Sequence, residues 1–300
     1  MQAAAPILQS TLSPRGAAAA EIAELSWVLF AGGGAILLLV VLAVVLAARG
    51  RAWLSGERFV LAAGVAFPVL VLSALLLYVY AIGQRLHAEP APEIRIDVTG
   101  EQWWWRVRYL DATGKPEFET ANEIRIPAHT AVELTLRSAD VIHSFWVPAL
   151  AGKIDMIPGR ANRLVVTAAE EGIHRGQCAE FCGGPHALMA LHVVAQSDQE
   201  FRAWREQQRR PAVSAHALFN ARCAACHSVR GTEAGGTRGP DLTHVAARLF
   251  IAAGTLPNTA GNMAAWLADS QHAKPGNLMP SMRLTAAELH SLAAYMASLQ

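Results

Sequence analysis

The sequence predicts a multidomain membrane protein in three parts: a two-helix transmembrane hairpin, a β-sandwich and an all-α domain. Three observations carry this. Two long N-terminal runs contain no charged residue, the chain beyond Pro92 breaks into short alternating segments, and the C-terminal part shows helical periodicity around Cys223-Ala224-Ala225-Cys226-His227. With 53% hydrophobic and 16% charged residues among 300, the chain is too apolar for an ordinary soluble protein. The net charge of +1, from 25 basic and 24 acidic side chains, gives no reason to expect a nucleic-acid partner.

Residues 27–48 and 59–83 are the uncharged runs, and each exceeds the ~20 residues needed to cross a ~30 Å hydrocarbon core. Neither shows the polar face of a soluble amphipathic helix. Arg49, Arg51 and Arg58, against Glu57 alone, favour a cytoplasmic loop between them and both ends of the hairpin outside. Pro68 lies inside the second run, where it should kink the helix. Residues 1–20 hold no apolar stretch of signal-peptide type, so any leader is expected to be already gone. The hairpin, residues 1–90 with its N-terminal segment, should anchor the chain in lipid against a larger membrane partner.

Residues 93–98, 103–110, 122–126, 132–137, 142–147, 162–167 and 188–195 read as strands, and so many short strands argue for a β-sandwich over residues 91–206. A short helix over 199–206 and the polar run 207–211 close it, the latter as a linker.

The chemistry concentrates in Cys178-Ala179-Glu180-Phe181-Cys182-Gly183-Gly184-Pro185-His186-Ala187-Leu188-Met189. Glycines and proline keep it a loop, so its side chains can converge. Two thiols, an imidazole and a thioether form a soft ligand set suited to copper, and His143 from a neighbouring strand could complete it. Cys178 and Cys182 alone would fit a disulfide equally well. His186 and Met189 decide for metal, because a disulfide gives no reason for them.

Residues 211–300 read as a second redox domain. Cys223-x-x-Cys226-His227 is the attachment signal for c-type haem: two thiols bond the haem vinyls and the adjacent histidine binds iron. The alternative, a redox dithiol, would be expected beside a thioredoxin-like βαβ pattern, and none is present. Residues 215–225 form a short helical segment. Residues 285–299 make a closing helix with Leu289, Leu292, Tyr295, Met296 and Leu299 as a buried stripe. The second axial ligand should be a methionine, which raises the potential. Met279 and Met282 compete for this role, whereas Met263 reads as core packing. All four cysteines are then used, two for each centre.

The 178–189 string resembles the copper A loop of cytochrome c oxidase subunit II. Val141-Ile142-His143-Ser144-Phe145-Trp146-Val147-Pro148 resembles the strand bearing that family's other histidine. The resemblance implies a cupredoxin-like Greek-key sandwich. It also implies that Cys178 and Cys182 bridge two coppers, with His143 and Met189 completing one and His186 and the Glu180 backbone carbonyl the other. The Glu180 carboxylate would help hold magnesium or manganese at the contact with subunit I. Gln102-Trp103-Trp104-Trp105 resembles the aromatic segment beside copper A and makes Trp103 the electron-entry candidate. Residues 153–160 also resemble a family segment, with Asp155 and Arg160 supporting the interface. Glu57 departs from the spacing of the family's proton-uptake carboxylate and reads as a solvated loop charge. His174 and His192 match no ligand position and read as structural or exposed.

Gly239-Pro240 resembles the turn of class I cytochromes c whose carbonyl restrains the proximal imidazole. Pro275-Gly276-Asn277-Leu278-Met279 resembles their methionine loop, which favours Met279 as the ligand. Together these implications describe subunit II of a caa3-type haem-copper oxidase with a fused cytochrome c. It would sit multi-pass in a bacterial inner membrane with both redox domains on the periplasmic side. Electrons would pass from cytochrome c through haem c and copper A to subunit I, where oxygen becomes water. The copper A subunit of a nitric oxide reductase and a membrane-anchored copper-binding or delivery protein are the alternatives.

Overall fold

The computed structural model describes residues 7–87, 91–212 and 214–300. Residues 1–6 and 88–90 of the expected N-terminal portion, and Val213, lie outside these. The chain divides into two compact units, Ala20–Pro90, and Met1–Ala19 together with Ala91–Gln300.

In the first unit, α1 (Ala17–Ala48) extends the first uncharged run towards the N-terminus by ten residues, because nothing in the alanine-rich 17–26 segment stops a helix. The second run lies in α2 (Glu57–Leu61), a π-helical turn (Ala62–Ala66) and α3 (Phe67–His87). The expected interruption at Pro68 takes the form of that π turn, since proline has no N–H for the regular ladder and its ring crowds the carbonyl four residues back. Both helical spans are long and apolar enough to cross a membrane. At one end of the hairpin, Arg85 Nε donates to Glu21 (2.9 Å) and the Tyr78 hydroxyl to Glu24 (2.8 Å).

The second unit opens with β1 (Ile7–Leu8). After the hairpin come β2 (Ile94–Glu101), β3 (Trp104–Leu110), β4 (Pro116–Ala121), β5 (Glu123–Pro127), β6 (Val132–Ser138), β7 (His143–Trp146), β8 (Ile154–Met156), β9 (Asn162–Val166), β10 (Gly172–Cys178) and β11 (Ala190–Gln196). One sheet runs β5-β11-β10-β7-β8 with β1 parallel on β10, and the other runs β4-β3-β2-β6-β9. Alternate residues of β2, Ile94, Ile96 and Val98, point into the space between the sheets, where Trp105, Tyr109, Ile124, Leu134 and Phe145 are fully buried. The sandwich is cupredoxin-like, as expected.

Helix α4 (Asp198–Arg209) starts with a reciprocal Ser197–Glu200 cap and lays Phe201 and Trp204 against Tyr109 and Phe118. It runs into the expected linker, which is pinned rather than loose. Gln208 is buried and its carbonyl accepts from Arg230 Nη2 (2.6 Å), Ala212 N donates to Arg230 O (2.8 Å), and His244 Nε2 lies 2.9 Å from Arg210 O.

The C-terminal domain holds α5 (Ala217–Arg222), a small hairpin of β12 (Phe250–Ile251) and β13 (Leu256–Pro257), α6 (Ala260–Ala268), α7 (Ser270–Ala273) and α8 (Ala286–Ser298). The predicted stripe of α8 is the one that packs: Leu292, Tyr295, Met296 and Leu299 are buried with Phe219, Val229, Met263 and Leu267, and Leu289 packs at their edge. This domain sits on the sandwich through named contacts. Arg106 Nη2 donates to Thr237 O (2.7 Å), Arg125 Nη2 to Ala247 O (3.0 Å), Leu249 N to Glu123 (2.7 Å), and Ala190 N to Ala253 O (3.0 Å).

Candidate metal and haem centres

Three elements build the copper-type site. β7 delivers His143, β10 ends at Cys178, and a 3-10 turn (Gly184–Leu188) returns the chain to β11 just past Met189. The loop is pinned at its base by Cys178 N to Met189 O (2.9 Å) and Ala179 N to Ser144 O (2.9 Å). Cys178 Sγ and Cys182 Sγ are free and 3.8 Å apart. Each sulfur has two further donors. Cys178 has His143 Nδ1 (3.8 Å) and the Glu180 carbonyl (3.2 Å), and Cys182 has His186 Nδ1 (3.5 Å) and Met189 Sδ (3.9 Å).

This donor set fits two soft metal ions sharing the sulfur edge. Two thiolates held ~2.3 Å from one tetrahedral metal lie ~3.8 Å apart. His143, Cys178 and Cys182 are buried and cluster with metal-ligand spacing. The Cys182 thiol hydrogen-bonds to Cys178 and holds it well below the usual thiol range, and that same contact pushes Cys182 up. The outer nitrogen of His143, Nε2, is held by Asp140 Oδ1 at 2.7 Å, which leaves Nδ1 for the sulfur side.

A cavity of about 760 Å³ lies between the C-terminal domain and the sandwich, lined by Cys223, Cys226, His227, Arg248 and Met279 on one side and by Trp103 on the other, among others. His227 Nδ1 is 2.9 Å from Pro240 O, so Nε2 is the ring nitrogen available to an iron. Gly239 makes this possible, because a Cβ there would lie 2.5 Å from His227 Cε1. The buried Arg248 has an unpartnered Nε, which suits a cofactor bearing carboxylates. These residues fit a covalently attached haem. Met282 is absent from the lining, whereas Met279 is present and held by Asn277 Oδ1, which accepts from Met279 N (2.8 Å).

The Trp triplet splits three ways. Trp105 is fully buried, and Trp104 stacks beneath the Arg106 guanidinium at 4.7 Å. Trp103 leaves the strand. Its Nε1 donates to Cys182 O (2.9 Å), and it also lines the cavity shared with the C-terminal domain. Glu180 is half-buried, and among the described residues its carboxylate joins no acidic cluster. Asp155 makes an outlying contact with Lys153 (3.5 Å), and Arg160 is exposed. His174 and His192 are buried, not exposed: His192 stacks on Phe250 (3.9 Å, 10°), and burial, which disfavours the charged ring, pushes both below the ordinary histidine value, His192 to about 4. Gln102, Asp140 and Lys274 escaped the sequence reading, since an amide, an acid before a strand and a loop lysine carry no signal on their own.

The family model for the periplasmic domain of cytochrome c oxidase subunit II matches residues 110–196, and that for cytochrome c matches residues 212–300. The first match contains both cysteines of the copper-type loop and its two histidines. The chain carries a periplasmic domain of the cytochrome c oxidase subunit II type followed by a cytochrome c domain. Cytochrome c oxidase subunit 2 of Alkalihalophilus pseudofirmus is 37% identical over 227 residues, which cover 71% of this chain and 64% of that one. The Bacillus subtilis protein of the same name is 28% identical over 278 residues, covering 82% and 76%. A crystal structure of the periplasmic domain of subunit II of cytochrome oxidase of Bradyrhizobium japonicum covers 40% of this chain and 96% of that one, at 36% identity and a TM-score of 0.38. The chain spans just under two thirds of the A. pseudofirmus relative. The subunit II and cytochrome c domains imply copper A and haem c, and the two donor sets above are compatible with them.

Proposed function

We propose that this chain is the electron-relay subunit of a caa3-type terminal oxidase in a bacterial inner membrane. It would accept electrons from a cytochrome c or similar donor into its C-terminal domain and pass them through the sandwich to subunit I, which reduces oxygen to water. Both redox domains would face the periplasm. The observation that carries this reading is Trp103, whose side chain lines the haem-sized cavity while its indole N–H is bonded to the Cys182 carbonyl of the copper loop.

A copper pair and a covalent haem would supply single-electron exchange if bound in these sites. Cys178, Cys182, His143, His186, Met189 and the Glu180 carbonyl would hold the coppers. Cys223, Cys226, His227 and Met279 would hold the haem. Asp140 orients His143, and Pro240 orients His227. A magnesium or manganese ion at Glu180 would need further oxygen ligands from subunit I, since one carboxylate cannot fill a hard-cation shell.

Electron paramagnetic resonance with metal and haem analysis on the oxidised full chain tests the reading. Hyperfine structure shared equally between two copper nuclei, with one covalent haem per chain, is the expected result. The pattern of a single copper, or no copper with Cys178 and Cys182 joined, would overturn it.

A further inference from the structure

Lys274 is the buried cation that the relay leaves unexplained. It caps α7 in the C-terminal domain, is 3% exposed and lines the haem-sized cavity. Its ammonium donates to the backbone carbonyl of Trp103 at 2.5 Å, across the domain boundary. Among the described residues no carboxylate lies within ion-pair distance of it. Burial pushes its pKa down to about 7.

A buried ammonium with one neutral partner is costly, and an apolar side chain would fill the same space without that cost. The lysine is also built into a chain of contacts that reaches both centres. Asn277 Nδ2 donates to Lys274 O (2.8 Å), while Asn277 Oδ1 accepts from Met279 N (2.8 Å). Beyond Lys274 the sequence of bonds continues through Trp103 to Cys182 O. The Met279 loop, Lys274, Trp103 and the copper loop therefore form one bonded series.

We propose that Lys274 is a positioning residue of the electron-transfer junction, holding Trp103 between the haem cavity and the copper loop and, in its protonated form, placing a positive charge where an electron arrives on either side. This rests on the relay reading. A cation in a low-dielectric site favours whichever neighbouring group gains negative charge, so it raises the readiness of both centres to be reduced.

The test uses the full chain carrying haem and copper, as wild type, K274M, K274Q and K274R, with spectroelectrochemical midpoint potentials and the haem-to-copper rate after flash reduction of the haem. K274M and K274Q are expected to shift both potentials downwards and to slow the transfer. K274R, which keeps the charge, is expected to retain the potentials. Unchanged potentials and rate in K274M, in protein with native haem and copper spectra, would leave Lys274 a space-filling contact and overturn the proposal. A potential loss in K274R equal to that in K274M would also overturn it, because charge would then not be the cause. Absence of any haem-to-copper transfer in the wild type is a separate result, and it would sink the relay reading itself.

Discussion

Single atoms decide both centres. Gly239 is required by the ring of His227, which lies 2.5 Å from where a Cβ would sit. A G239A substitution should displace the imidazole from Pro240, weaken haem attachment and cost about 1 to 3 kcal/mol, as overpacking usually does. The absorption spectrum of the haem and a thermal melt would read both effects. Asp140 would play the equivalent part for a copper ion, since it holds His143 Nε2 while its other oxygen accepts from Gln102 N (2.7 Å). D140N should lower copper affinity by roughly 10- to 100-fold while the sandwich stays folded, a loss measurable by competition with a chelator.

Strands and loops carry residues that composition alone misplaces. Strand β10 leads directly to Cys178, yet Gly172-Ile173-His174-Arg175-Gly176-Gln177 has the texture of a loop. Gly176 is there because Trp146 O lies 2.8 Å from its missing Cβ, a close approach that only the neighbouring strand imposes. On β11, His192 is buried neutral against Phe250, its pKa pushed down to about 4 by burial. The unfolded chain takes up that proton near the ordinary value of about 6.5, so the stabilisation is complete above it and is lost as pH falls towards 4. Urea midpoints measured across this range should fall with pH in the wild type and fall less in H192F. Equal slopes in the two proteins would mean that His192 is not the group responsible.

At the scale of the molecule, the cytochrome domain is docked on the sandwich instead of swinging on a tether, so an effective-concentration description of a flexible linker does not apply. Arg106 is the centre of that contact, paired with Glu101 and Glu119 and bonded to Thr237 O two residues before Gly239. R106M leaves the half-buried Glu101 without its cation and Glu119 with Arg108 alone, and should cost on the order of 3 kcal/mol. Denaturant unfolding followed separately by haem absorbance and tryptophan fluorescence should show coincident transitions in the wild type and split ones in R106M. The N-terminal segment also belongs to this unit: β1 pairs with β10, Gly16 bridges to Ala168, and Arg15 pairs with Glu170. A fragment beginning at residue 91 would lack that strap, which is why the full chain is the right sample.

The sequence by itself determined the architecture and pointed to the chemistry. Soft ligands at fixed offsets in a glycine-rich loop, a C-x-x-C-H string and two uncharged runs are local patterns, and each points to one kind of site or element with little help from the rest of the chain. Most strands were legible for the same reason, because alternation follows from a pleat with one face buried. Tertiary structure alone decided what depends on distant segments meeting. It buried His174 and His192, pinned the 207–211 segment through Arg230 and His244, added β1 to the sheet, and placed Met279 rather than Met282 on the cavity wall. It also brought Lys274 to Trp103 across 171 positions of chain. A lone lysine in a loop reads as a solvated charge, and only the packing of two domains removes the water that would make it so.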